Sequence, residues 1–281
     1  MAAHAELGPT AGSEERHEWS LQDLAFEHID RASVRDDATL FYMLVSASFI
    51  ESGSDLYTRN LIEHYDAFPL VKRWLAESWE AEELRHGHAL AEYVRTVWPE
   101  YDWDAAFREF FADYRRLCNA EHLEADPALE LAARCTIEMG TASYYRMLHE
   151  AVREPVLRQL LDHIRRDEVR HFKHFYRYLR AVQSERAIGR WRLGLCVLKR
   201  TFEMTGDDGW HAFRHAYRFR HEGRAPTRAQ YRAWRKQVRE IARAHFPSRM
   251  AAEMLITPLD LPAAWRRRST QVAAAVIRHA L

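Results

Sequence analysis

Between Asp37 and Tyr65 apolar residues recur every three or four positions, the spacing that lines one face of a helix, and the same period returns over residues 69–97. Pro69 stands near the start of the second stretch and Pro99 just past its end, where a helix tolerates or requires a breaker. Residues 98–126 read as a connection holding a shorter aromatic helix, WDAAFREFFADYRRL. Asp126-Pro127 then reads as an N-cap followed by Pro at the first helical position, opening a third helix to about Val152. Glu154-Pro155 opens a fourth, ending near Val182. Further helical pieces are expected at 185–204, 207–220, 227–245 with Thr227 as N-cap, and 262–280. Strand alternation is convincing nowhere. The expected fold class is therefore all-α: a four-helix bundle with one long crossover between its second and third helices, and additional C-terminal helices.

The four long helices contain an internal duplication. The first carries ESGSDLY from Glu51 and the third EMGTASY from Glu138, both Glu-x-Gly-x-x-x-Tyr. The second carries EELRHGHALAEYVRTV from Glu82 and the fourth DEVRHFKHFYRYLRAV from Asp167, which align without a gap. Each half is thus a helical hairpin offering a lone Glu from one helix and Glu-x-x-His from the other. Residues at i and i+3 lie about 60° apart around a helix and about 4.5 Å apart along it, so both side chains reach one point. Two such hairpins face to face bring four carboxylates and two imidazoles into one bundle centre. Buried together without a cation these groups would repel and lose hydration, whereas four carboxylates and two neutral imidazoles balance two divalent ions. Oxygen and nitrogen donors suit iron first, with manganese or a mixed Mn/Fe pair compatible.

A ligating imidazole needs a partner for its other ring N–H, usually a carboxylate. Asp167 and Glu82 occupy equivalent positions immediately before Glu168 and Glu83. The expected arrangement has Asp167 orienting His86 and Glu82 orienting His171, across the pseudo-twofold. His88 and His174 point elsewhere on their helices and are not expected to ligate. Gly53 and Gly140, two residues past the lone glutamates, are expected to permit close helix packing. Tyr57, Tyr144 and Tyr145 are given no redox role.

The repeated Glu-x-Arg-His motifs resemble those of the ferritin-like di-iron carboxylate superfamily, and EELRHGHAL with DEVRH is similar to the soluble acyl-carrier-protein desaturases. The resemblance covers about residues 37–182. It implies a ferritin-like bundle in which Glu51, Glu83, His86, Glu138, Glu168 and His171 ligate two iron ions, with Glu83 and Glu168 bridging. It also implies a place for Thr141 beside a dioxygen pocket. The activity implied is that of an O2-dependent non-haem di-iron oxidoreductase of desaturase, hydroxylase or N-oxygenase type. Its substrate would be organic, carrier-bound or acyl, and its electron donor a protein such as a ferredoxin. The competing class is a ferritin-like ferroxidase, against which stands the long basic C-terminal region.

Composition narrows the picture further. Gly and Pro together supply only 19 of 281 residues, which suits uninterrupted helices. The longest apolar runs fall far short of the roughly 20 residues that span a bilayer, so no membrane span is expected. The opening MAAHAELGPTAGSEERHEWS lacks the apolar core of a signal peptide and reads as a mobile tail. Cys118, Cys135 and Cys196 are scattered and read as reduced thiols in a cytoplasmic protein. The net charge of zero hides an asymmetry: residues 183–281 hold 20 Lys/Arg against 8 Asp/Glu, leaving 21 against 33 in residues 1–182. Three divisions follow: a tail and lead-in (1–36), a di-metal bundle (37–182), and a basic helical extension (183–281). That extension could dock an acidic carrier, a ferredoxin or an anionic substrate, pack on the chain's own acidic half, or meet a second subunit in a homodimer. Nucleic acid is not an expected partner.

Overall fold

The computed structural model describes residues 19–116, 123–204 and 208–281. Twelve α-helices and no strands occur among them, so the all-α expectation holds. Residues 1–18 and Cys118 lie outside the described residues.

The bundle begins with α1 (Ala38–Ser52), whose N-cap Asp37 accepts a hydrogen bond from the Leu40 N–H. Every residue from Leu40 to Phe49 is buried, so α1 is not amphipathic but a helix enclosed on all sides. Two short helices, α2 (Asp55–His64) and α3 (Pro69–Trp74), lead into a π-helical turn at Leu75–Trp79 and then α4 (Glu80–Val97). The crossover holds α5 (Trp103–Tyr114), and α6 (Pro127–Ala151) and α7 (Pro155–Glu185) complete the bundle. Both Asp126 and Glu154 cap their helices through side-chain acceptors, with Pro at the first position in each case.

Two antiparallel pairs make the bundle: α1 packs along α4, α6 along α7, and α4 meets α7 between them. The first predicted helix differs from the structure. One continuous helix over 37–65 was the expectation, yet the chain breaks after Ser52. Apolar spacing continues across the break, which is why the pattern reads as one helix. The local backbone turns at Gly53 and Ser54, where α1 ends and α2 restarts.

The C-terminal part comprises α8 (Arg190–Glu203), α9 (Asp208–Arg220), α10 (Arg228–His245), α11 (Ser248–Ile256) and α12 (Ala263–Ala280). Thr227 caps α10 in a reciprocal box with Gln230, as the sequence suggests. Helix α11 has no counterpart among the expected elements. Helices α8 and α11 lie against α6, while α9 lies against α1 and α5. Charge crosses these contacts: Arg186 and Arg192 pair with Asp126, Lys199 with Glu124, Arg214 with Asp113 and Arg218 with Glu109. Part of the basic excess is therefore neutralised on the chain's own acidic bundle.

Candidate metal centre

Four helices each send one part of the site inward. Glu51 comes from the last turn of α1, Glu83 and His86 from α4, Glu138 from the middle of α6, and Glu168 and His171 from α7. All six side chains are buried. They form two overlapping groups, Glu51/Glu83/His86/Glu168 and Glu83/Glu138/Glu168/His171, within each of which the donor atoms lie within 4.8 Å of one another. Glu83 and Glu168 belong to both groups. The π turn before α4 and the ring of Trp74 close one side, with Trp74 and Trp79 set edge-on to His171 at 6.2 and 6.3 Å.

The outer ring nitrogens are tied across the pseudo-twofold. His86 Nε2 is 3.0 Å from Asp167 Oδ2, and His171 Nε2 is 2.7 Å from Glu82 Oε2. Both acids are themselves anchored by the motif arginines. Arg85 donates to Asp167 at 3.2 Å, and Arg170 pairs with Glu82 at 2.9 Å and Asp167 at 2.8 Å. Burial works to raise both acids, but His86, Arg170 and Trp19 outweigh it at Asp167 and hold that carboxyl well below the usual range. At Glu82, His171 and Arg170 likewise outweigh burial and bring it down to about 2.

Inside this ring the polar atoms are underserved. The inward nitrogens, His86 Nδ1 and His171 Nδ1, are buried without a hydrogen-bond partner among the described residues, and so are Glu83 Oε1 and Glu168 Oε1. His86 Nδ1 stands 3.2 Å from Glu168 Oε1, and His171 Nδ1 stands 3.0 Å from Glu83 Oε1. With Nε2–H committed outward, each Nδ1 presents a lone pair toward a carboxylate lone pair. Two acceptors at that distance, buried, are costly unless something positive lies between them. Alone, the side chains would have to share protons. Burial and the charges of Glu83 and Glu168 push Glu51 well above its ordinary range. Burial lifts Glu138 to about 8 against the pull of His171. His86 rises to about 10, because Asp167 and Glu168 outweigh the burial that lowers it. Divalent cations would replace those protons, so the donor set fits a di-metal pair.

Thr141 Oγ1 lies 2.6 Å from Glu168 Oε2, nearer than the helix carbonyls of Glu138 and Ile137 at 3.2 and 3.4 Å. His88 and His174 lie outside both groups, and His174 stacks on Trp74 at 4.9 Å. Of the tyrosines, Tyr145 donates to Glu51 Oε1. Tyr144, which fills the repeated Tyr position, instead donates to the Met43 carbonyl at 3.0 Å.

Two expectations need correction. Gly53 does not mediate close packing: a Cβ there would sit at ordinary contact, 3.4 Å from the Phe49 carbonyl. At Gly140 a Cβ would fall 1.8 Å from the terminal methyl of Met204, so this glycine makes room for a flexible side chain at the end of α8. The close approach of two backbones occurs at Gly87, where a Cβ would fall 2.5 Å from the Ser52 backbone nitrogen. The second correction concerns Trp19, read as part of a mobile tail. It is buried, donates from Nε1 to Asp167 Oδ2 at 2.8 Å, stacks parallel to His86 at 6.1 Å, and lies under the Arg85 guanidinium. No local signal marks it, because its partners stand 66 to 148 residues away. Arg85 and Arg170, by contrast, were visible as repeated positions.

No family model matches the chain. Two strains of Mycobacterium tuberculosis, CDC 1551 / Oshkosh and ATCC 25618 / H37Rv, have a relative, DesA2, provisionally named as an acyl-acyl-carrier-protein desaturase. It is 34% identical over 120 residues, which is 42% of this chain. The match spans 41% of the relative's own length. Among solved structures, a variant of an R2-like ligand-binding oxidase with a Mn/Fe cofactor aligns at a TM-score of 0.47 and 14% identity, covering 93% of this chain and 88% of that one. Another variant, with an Fe/Fe cofactor, aligns at 0.46 and 11%, with the same coverage. The bundle's connectivity and its paired Glu and Glu-x-x-His sets are those of a ferritin-like helical bundle with a di-metal donor set, and the chain is distantly similar in sequence to DesA2.

Proposed function

We propose that this chain is an O2-dependent di-iron oxidoreductase acting on an organic substrate, with a carrier-bound acyl group as the preferred class. The observation that carries the reading is the pair of overlapping Glu/His groups whose outer nitrogens are pinned and whose inner donors are left without partners. Glu51, His86, Glu138 and His171 would each serve one cation, with Glu83 and Glu168 shared. The name of the relative DesA2 supports the carrier-bound class.

When bound, an iron pair supplies reversible redox chemistry toward dioxygen. The protein's own part is positioning and proton control. Asp167 and Glu82 accept from Nε2–H, which fixes the tautomer and turns each Nδ1 lone pair inward. Thr141 holds a hydroxyl proton at Glu168 Oε2, on one of the two shared carboxylates. Trp74, Trp79 and Phe175 form an aromatic wall at His171 that excludes water from that side. An external protein donor, such as a ferredoxin, would supply electrons.

Asp167→Asn is expected to keep the fold but weaken metal retention by roughly 10–100-fold. Competition with a chelator measures this, and retention equal to the parent would remove Asp167 from the orienting role. The oxidoreductase reading is tested by mixing the reduced, iron-loaded protein with O2 in a stopped-flow instrument. Oxygen should be consumed with a transient optical signal whose decay quickens with the right acyl substrate. Thr141→Val should change those rates several-fold without changing metal content. Repeated turnover of added ferrous iron with growth of a ferric mineral, indifferent to every organic substrate, would instead establish a ferroxidase.

A further inference from the structure

The basic excess of the C-terminal part is not spent evenly. Against the bundle part of it is matched by the ion pairs described above. Along α10 the cations Arg232, Arg235, Lys236 and Arg239 are exposed to solvent. Between α11, α12 and the C-terminal half of α6 the case differs. A groove of about 1330 Å³ runs there, and five arginines line it: Arg146 from α6, Arg249 from α11, and Arg266, Arg267 and Arg278 from α12. Its lining holds one carboxylate, Glu253, which is paired with Arg249 at 3.0 Å. Among the described residues, Arg146, Arg266 and Arg267 have no ion pair.

Two helices also begin in this groove. Pro247 to Met250, at the start of α11, and Ala263 to Arg267, at the start of α12, both contribute to its lining. Neither start carries a side-chain cap; at α11 the Ser248 N–H donates to the Phe246 carbonyl at 2.8 Å, and the remaining first-turn N–H groups of each have no partner within the helix. An uncapped helix start offers N–H donors and the positive end of the dipole, a combination suited to phosphate. Guanidinium groups add bidentate donors of matching geometry. Helix α11 is roughly 13 Å long, and six further residues lead from its end to the start of α12.

We propose that this groove is a binding site for a soluble, phosphate-bearing polyanion, with anionic groups distributed along its length. The carrier of the charge is a chain of phosphates or a molecule phosphorylated at both ends, not a single orthophosphate. The site lies on the outer side of α6 and is independent of the metal-centre reading. Arg146 stands eight residues beyond Glu138 on the same helix, so the groove and the centre share one rigid element about 12 Å apart along its axis.

The test uses the full chain and inorganic tripolyphosphate, pyrophosphate and orthophosphate as probes, titrated calorimetrically at fixed ionic strength. Tripolyphosphate should bind at least about tenfold more tightly than orthophosphate, and the double substitution R266E/R267E should weaken it by at least another tenfold. The control R232E/R235E, on α10, changes net charge equally and should shift affinity less than about threefold. Circular dichroism and metal content should match the parent in both variants. Equal weakening by the two variants would mean a general electrostatic field in place of a site and would overturn the proposal. So would binding of anionic vesicles or RNA through these arginines while tripolyphosphate fails to bind.

Discussion

Glu168→Ala and Glu83→Ala should each strip the centre of both metals, whereas Glu51→Ala and Glu138→Ala should each cost chiefly one. The parent chain, purified from iron-supplemented cells, is expected to hold about two transition-metal ions. The gradation follows from membership: Glu83 and Glu168 belong to both donor groups, Glu51 and Glu138 to one apiece. Losing a shared carboxylate removes a donor and a negative charge from each position at once, and leaves the remaining buried donors without their counter-arrangement. His88→Ala and His174→Ala serve as controls, since His88 is exposed and His174 is stacked on Trp74 outside the groups. Glu168→Gln keeps the side-chain volume, so a variant that merely misfolds is separated from one that folds and cannot ligate. Elemental analysis beside circular dichroism reads both quantities. Equal metal loss in all the variants would refute the donor assignment. A parent with full helicity and no affinity for iron or manganese would refute the centre itself.

The paired donors were legible because ligand spacing on a helix is a local property. Glu83 with His86, and Glu168 with His171, are each three residues apart, so the helix alone brings them to one point. The duplication then indicated that two such points exist, and the helix starts at Asp126-Pro127 and Glu154-Pro155 could be read from two residues each. The cross-bundle links from Asp167 to His86 and from Glu82 to His171 needed only the repeat and the requirement that an imidazole N–H be satisfied.

Features that depend on contacts distant in sequence were not legible. Trp19 reaches Asp167 across 148 residues from a stretch whose polar composition reads as a tail. Tyr145, and not the repeated Tyr144, meets Glu51, because which of two adjacent tyrosines faces α1 is settled by packing that the repeat does not encode. The break after Ser52 was hidden by an apolar period that runs on into α2. Helix α11 follows Phe246-Pro247, which reads as a stop, and its nine residues are too few to show a period of their own. The glycines are the clearest case. Gly53 and Gly140 drew notice by repeating, yet which glycine matters is decided by what faces it from another helix.

Gly87→Ala is accordingly expected to be damaging where Gly53→Ala and Gly140→Ala are not. In the middle of an exposed helix, alanine in place of glycine would stabilise by up to about 1 kcal/mol. At Gly87 the new Cβ would stand 2.5 Å from the Ser52 nitrogen and 2.8 Å from its Cα. Those are backbone atoms of α1, fixed by its burial, and they cannot rotate aside as a side chain would. Helices α1 and α4 must separate instead, and overpacking of this kind costs about 1–3 kcal/mol and at times more. The net loss expected is about 2 kcal/mol, or roughly 4–8 °C in Tm for a chain of this size. The strain falls beside the centre, because Ser52 follows Glu51 and Gly87 follows His86. Metal retention in Gly87→Ala should therefore fall along with stability. At Gly140 only the mobile methyl of Met204 has to move, and at Gly53 the added carbon makes ordinary contact. Both of those variants should melt within about 2 °C of the parent. Thermal unfolding of the three variants, each with and without a chelator, reads the two effects separately. Should Gly87→Ala prove as stable as the parent, or Gly140→Ala equally destabilised, the close seam between α1 and α4 would not be what sets the distance between Glu51 and His86.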